Sequence, residues 1–423
     1  MISCACRRVT SESRATLLFL VFLVIPFISH TIGFLLPEKY TSWQITEWLI
    51  NYSGGFVRRG LPGTLLYRVS LYAHIPPNQL IVLISMVSYL ILALVFCRLL
   101  KNLLPTWILF SPFLLGMPVW SNFTVRKDTF ILLLFAGCIA VVRKVRGFIP
   151  MAVILNAVAV IGVLCHEMFM FISLPFLWIL ISTRMAKTKP AVYRYAWLVP
   201  TAVLSPLISA GVWALLHHGD ASIADKITSS WNIIFGCIPG ITFRYAGPEA
   251  AIDGIRWTTD FAMSLALGDL RKSIFPVMAG IGLIWFVICG NLHWANGLSK
   301  NTDCAASQKR IQGMFTVIAI VQLVSVLPLF FAGKDFGRWM FLWISSTLLI
   351  LPCCINEPID LLERVSLSVA RIIPRFVNSS KLNPLLFLFA GFPCANWCLS
   401  EYFQSMPVGC NMHLINEIFR MFL

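Results

Sequence analysis

Ile149 to Ile181 reads IPMAVILNAVAVIGVLCHEMFMFISLPFLWILI, thirty-three residues whose only ionisable side chains sit together at His166-Glu167. A bilayer core is crossed by roughly 20 apolar residues in a helix, so this run is two spans joined by a tight turn. Ionisable groups at such depth are costly and tend to be functional. His166 can exchange a proton near neutrality, and Glu167 can orient it or act as the base itself. The competing reading is a plain headgroup-level turn. No second histidine follows at helical spacing, so the pair is not a zinc motif.

Outward from this run the same composition continues. The chain has 423 residues, 58% hydrophobic and 12% charged, with mean hydropathy +0.81, against about 25% charged in soluble chains. The pattern predicts an all-α, polytopic membrane protein forming a single integral domain over 1–423. About eleven spans are expected: 15–36, 79–100, 103–120, 128–142, 147–165, 167–183, 196–216, 273–292, 311–332, 338–356 and 382–400; the third, fourth and sixth are short or interrupted by proline, which leaves re-entrant or tilted segments open there. The run after Arg7, Arg8 and Arg14 is too long for a signal-peptide core and reads as an uncleaved first span.

Orientation follows from the basic residues. With the N-terminus inside, the inner segments collect 19 of the 33 lysines and arginines against five acidic residues. The outer segments then hold basic and acidic residues almost in balance. This fits the positive-inside rule and places the N-terminus in the cytoplasm and the C-terminus outside. It also accounts for the net charge of +15 without nucleic acid. Of the 13 cysteines, most lie in apolar runs and read as small hydrophobes.

The chemically unusual residues fall on the outer side. Asn51–Gly63 holds four glycines, Pro62, and the adjacent Arg58 and Arg59. Glycine allows close backbone approach, and arginine is a planar fork for phosphate or carboxylate. The alternative is an interfacial turn whose arginines snorkel to headgroups. Glu38 and Glu47 precede this stretch, and a short amphipathic piece, Leu61 to Tyr72, follows it. Arg126-Lys127-Asp128 opens a span; Asp128 suits a helix cap, while Arg126 has no such structural role on this side. Lys334-Asp335-Phe336-Gly337-Arg338-Trp339 opens another, where Arg338 and Asp335 could simply pair. The expected long outer loop, 217–272, carries Trp231, Tyr245 and Trp257, which could stack on a sugar or seat the loop on the bilayer. His217-His218-x-Asp220 is a poor metal site, because adjacent histidines diverge. These chain-distant clusters on one face read as one site.

Tyr52-Ser53-Gly54-Gly55-Phe56-Val57-Arg58-Arg59-Gly60, Arg126-Lys127-Asp128, His166-Glu167 and Asp335-Phe336-Gly337-Arg338-Trp339 together resemble a group of bacterial inner-membrane proteins of surface-polysaccharide assembly. The broader relatives are O-antigen polymerases and multi-span (GT-C-like) lipid-linked-sugar glycosyltransferases. The resemblance implies periplasmic transfer of a glycan from a polyprenyl diphosphate carrier to an acceptor sugar hydroxyl. Arg58, Arg59, Arg126 and Arg338, with Lys334 and Asp335, would bind the diphosphate and substrate. Glu167, His166, Asp128 or Glu47 would supply the base. The cations make a metal ion or other cofactor unnecessary. The partners implied are the lipid-linked glycan and membrane lipid; whether a separate protein sets chain length stays open. Two rivals remain: a flippase for a lipid-linked glycan, which would want arginines through the membrane depth, and a membrane O-acyltransferase using His166.

Overall fold

Two long apolar helices do emerge from the deciding run: Phe148–Cys165 and Met168–Thr188, with only His166 and Glu167 between them. The computed structural model describes residues 17, 20–21, 23–36, 39–120, 123–188, 198–236, 251–292, 304–333, 335–356 and 360–373. The described residues form helices and connections without a strand. In chain order the helices are α1 (Leu23–Gly33), α2 (Trp43–Leu49), α3 (Gly60–Ala73), α4 (Pro77–Leu100), α5 (Thr106–Leu109) and α6 (Gly116–Trp120). Then come α7 (Asp128–Lys144), α8 (Phe148–Cys165), α9 (Met168–Thr188), α10 (Leu198–Val203), α11 (Ser205–Leu216) and α12 (Ala221–Gly236). The last are α13 (Asp253–Arg256), α14 (Thr259–Asn291), α15 (Cys304–Ala332), α16 (Phe336–Asn356) and α17 (Asp360–Ile372). Five of them (α4, α8, α9, α15 and α16) are long and apolar enough to cross a membrane.

The expected span 103–120 is not a helix. It breaks into α5 and α6 around a turn, because Pro105, Pro112 and Pro118 remove donors and clash with the preceding turn. Before it, Ser85 Oγ of α4 donates to the carbonyl of Val125, which follows this segment, at 3.1 Å. The span expected at 196–216 is also divided, into α10 and α11 at Leu204. The span at 273–292 is the second part of the 33-residue α14. The span 382–400 lies outside the described residues.

Contacts divide the chain into two units, each described by itself. One comprises residues 1–30, 93–123 and 263–423. Within it α15 packs on both α16 and α17, and α16 is buried from Phe336 to Cys354. Two side-chain hydrogen bonds tie that buried helix to α15: Gln322 Nε2 donates to Ser346 Oγ at 2.8 Å, and Trp343 Nε1 to the Ala319 carbonyl at 2.7 Å.

The other unit comprises residues 31–92 and 124–262. It has two parts. Helices α7, α8 and α9 pack on one another, with α11 against α8. Helices α2, α3, α12 and α13 and the start of α4 share an apolar core built on Trp48, Ile50, Ile81, Trp231 and Ile252. The supposed hydrophilic loop 217–272 is thus largely helical where described. In α12, Ala224, Ile227, Trp231 and Phe235 recur at helical spacing and are buried, which is an amphipathic helix rather than a loop. Trp231 Nε1 donates to the Leu49 carbonyl at 2.6 Å, so this tryptophan is core, not a sugar platform. The piece after the glycines is helical, as α3, and its Leu65, Val69 and Tyr72 remain exposed at i, i+4 and i+7.

At 18 residues, α8 is about 27 Å long, close to the thickness of a hydrocarbon core. At one end of the α7–α8–α9 bundle lie Arg143, Lys144 and Arg146; there Arg184 Nη2 donates to the Val145 carbonyl at 2.6 Å. That arginine closes the C-terminus of α7, where carbonyls lack partners and a cation is favoured. At the other end lie the start of α7 and the α8–α9 turn.

Candidate functional site

Everything at that second end depends on how the glycine-rich stretch is folded. Asn51 Oδ1 accepts the Ser53 N–H at 2.9 Å, starting a short 3-10 turn over Tyr52–Gly54. Gly55 follows at φ 116, a conformation L side chains rarely adopt. Val57 is buried, and the Arg58 N–H donates to the His217 carbonyl at 3.0 Å. Arg59 then takes the left-handed region, φ 66, ψ 9, before α3 begins at Gly60. A non-glycine residue held there is a modest strain of about 1 kcal/mol or more. The strain has a local return: it turns the Arg59 guanidinium inward.

Arg59 Nε donates to both oxygens of Glu167, at 3.1 and 2.9 Å, and Nη2 closes a further bond to the same carboxylate. Its Nη1 reaches Glu47 at 3.5 Å. Glu47, carried inward by α2, is fully buried and accepts from Arg126 Nε at 3.0 Å. His166 Nε2 lies 3.3 Å from Glu47 Oε1, and the Met168 N–H donates to His166 Nδ1 at 3.3 Å. The ring is therefore best drawn with its proton on Nε2. Four chain segments, around residues 47, 58–59, 126–127 and 166–167, meet in one network.

Lys127, also fully buried, binds from beneath. Its ammonium reaches the Cys165 carbonyl at 3.3 Å and the Arg59 carbonyl at 3.5 Å, and sits 5.6 Å from the centre of the Trp48 ring. Trp48 is fixed in turn by its Nε1 donating to the Val125 carbonyl at 2.6 Å. Lys127 thus pins the left-handed residue to the carboxyl end of α8, where a cation is favoured by the helix dipole. Asp128 is buried as the first residue of α7, one position past the cap that Lys127 occupies. There it complements the positive helix end.

The electrostatics follow from this packing. Burial, and then Arg59, pushes His166 down to about 4, so it is neutral at neutral pH. Burial would raise Glu167, but Arg59 and Arg58 hold it well below the usual carboxylate range. Burial lowers Lys127 to about 8, partly offset by Glu47. With Glu47 and Glu167 facing Arg58, Arg59, Arg126 and Lys127, the network carries more cations than anions. Arg58 differs from the rest. It lies 3.6 Å from Glu167 with its side chain 26% exposed, and donates no side-chain hydrogen bond to any described residue.

No family model, curated protein or solved structure matches this chain.

Of the residues expected from sequence, the network joins Glu47, Arg58, Arg59, Arg126, His166 and Glu167. Arg338 and Asp335 belong to the other unit and pair with each other there, the arginine lying 5.2 Å from the centre of the Trp339 ring. Lys334, Glu38 and Tyr245 lie outside the described residues. Among the described residues no group of three or more His, Cys, Asp or Glu is arranged to hold a metal ion. Asp220 caps α12, accepting the Ile223 N–H at 2.8 Å, and His217 Nδ1 lies 2.9 Å from the Trp213 carbonyl. Sequence reasoning gave Lys127 no role of its own and did not single out Trp48. A lysine on the disfavoured side, one residue before a span, was the available signal.

The His166 shift predicts acid lability. Its folded value of about 4 lies below an ordinary histidine's, so between pH 6.5 and 4 the unfolded chain binds a proton the folded one does not. Stability must then fall as pH drops through that window, by about 3 kcal/mol at most. Glu167, also depressed, acts in the same sense further down. The thermal midpoint in nanodiscs should decline from pH 6.5 to 4 in wild type. In His166→Gln it should stay flat until the carboxylates titrate.

Proposed function

We propose that the protein is an inner-membrane glycosyltransferase of the O-antigen polymerase type, with about eleven crossings and a periplasm-facing site. It moves a glycan from a polyprenyl diphosphate to an acceptor sugar hydroxyl. The observation that carries this reading is the Arg58–Glu167 pair: a guanidinium with uncommitted donors beside a carboxylate held ionised. Arg59, Arg126 and Lys127 are tied into the supporting network.

In the transfer, the acceptor oxygen attacks the anomeric carbon while the bond from that carbon to the diphosphate oxygen breaks. The electron pair leaves with the polyprenyl diphosphate, and Arg58 stabilises the charge that develops there. The acceptor proton passes to Glu167. A carboxylate of low basicity suffices, because the hydroxyl becomes strongly acidic as its oxygen bonds to an oxocarbenium-like centre. Arg59 and Lys127 position Glu167, and Glu47 and Arg126 hold His166 and Arg59 in place. The charged residues of the five long apolar helices fall near helix ends (Arg98, Arg184, Lys187, Lys309, Arg310 and Arg338). This favours an enzyme over a carrier with a cationic path through the membrane.

The test is a polysaccharide gel from the native host at matched membrane levels. Arg58→Ala should cut polymer by about 10²–10³-fold, the size expected when a charge-stabilising donor is removed, and leave single-repeat product. Arg58→Lys should recover part of it. Loss of the single-repeat band as well would point to an earlier transferase or a flippase. An unchanged ladder in a deletion strain would end the polymer reading.

A further inference from the structure

A transferase gripping diphosphate at Arg58 must also seat the attached sugar, and an aromatic group adjoins that arginine. Phe56 stacks on Tyr52 with centroids 5.5 Å apart at 16°, and meets the His217 ring edge-on at 5.8 Å and 84°. The other face of the assembly is Trp213, stacked on His217 at 3.9 Å and 25°. The His217 carbonyl accepts the Arg58 N–H at 3.0 Å, so stacked rings and arginine are coupled through one peptide. Trp213 is 53% exposed, with His217 covering one face.

Two polar atoms complete the observation. Tyr52 Oη and His218 Nδ1 are buried and have no hydrogen-bond partner among the described residues. Buried polar atoms are rarely left so. The Tyr52 ring lies on Gly60, whose added Cβ would fall 3.1 Å from the ring carbon bearing the hydroxyl. Burial pushes the phenol up to about 12, so it stays a donor at any physiological pH.

We propose that Trp213 and His217, backed by Phe56 and Tyr52, form a subsite for a pyranose ring of the lipid-linked glycan, next to the diphosphate at Arg58. The inference rests on the function proposed above. A pyranose has an apolar face of C–H groups and a rim of hydroxyls. The first suits the open indole face, and the ring stack behind it holds that face in place. A tryptophan serving only the interface belt would need no link to Arg58.

The experiment uses the full chain in nanodiscs and two readouts. Saturation-transfer NMR measures binding of soluble oligosaccharide released by mild acid from the host's lipid-linked precursor. Quenching by phospholipids brominated along their acyl chains measures whether the Trp213 signal, taken as wild type minus Trp213→Phe, faces hydrocarbon. The expected result is oligosaccharide binding weakened about tenfold or more in Trp213→Ala and His217→Ala, largely retained in Trp213→Phe, with little bromine quenching. Equal binding in Trp213→Ala, no binding by wild type, or strong quenching of Trp213 would each overturn the subsite. None of these alters the host ladder test, so the subsite can fail while the transferase reading stands. A deletion strain with an unchanged ladder removes both.

Discussion

Glu47→Gln is expected to destabilise the protein by about 3–5 kcal/mol, the cost of removing one partner from a buried ion network. The substitution keeps the shape of the side chain and removes only the charge that faces Arg126 at 3.0 Å and Arg59 at 3.5 Å. The arginines stay buried with less to neutralise them. The measurement is the thermal midpoint in nanodiscs, together with the amount of protein reaching the membrane. Because the penalty comes from stranded cations, Glu47→Gln with Arg126→Met should cost less than the two single changes added together. Additive losses would mean that Glu47 matters through packing alone.

Gly63→Ala should be comparably damaging for a different reason. A Cβ at this position would fall 2.0 Å from the Ile50 carbonyl oxygen, and a backbone atom cannot swing away as a side chain can. Overpacking of a well-filled site costs about 1–3 kcal/mol, occasionally more, and here α2 and α3 would be forced apart with Glu47 and Arg59 on opposite sides of the wedge. Both stability and polymer yield should collapse together. Gly137→Ala is the control: it lies within α7 with nothing within 4 Å of an added Cβ. It should stabilise by about 0.5–1 kcal/mol through helix propensity. If Gly63→Ala proved as harmless, the close approach of α3 to Ile50 would be wrong.

What could be read from the residues was set by contrast with their surroundings. His166-Glu167 stood out because hydrocarbon flanks it for fifteen residues on either side. The Arg58-Arg59 pair stood out because glycines rule out a regular helix there. Glu47 was only one of two first-segment carboxylates, since WQITEWL looks like any short amphipathic turn and nothing in it signals that Arg126 will fold onto it. Residues 103–120 have a span's hydropathy, but their prolines left a re-entrant or tilted course open, and the segment is indeed broken into two short helices. A misreading occurred at α12, whose polar residues look like loop until Ala224, Ile227, Trp231 and Phe235 are aligned on one face. Arg338, grouped with the other arginines by its side of the membrane, lies in another unit and pairs with Asp335 there.

The network also imposes a timetable on synthesis. Glu47 and Arg59 leave the ribosome within a dozen residues of each other, but Glu167 follows about 120 positions after Glu47, roughly 6–24 s at ordinary elongation rates. For about the first two thirds of that interval Glu47, Arg58 and Arg59 stand without Arg126, and for all of it without Glu167. The glycine-rich stretch must therefore wait in water or headgroups, and close over the bundle only once the α8–α9 hairpin has been inserted.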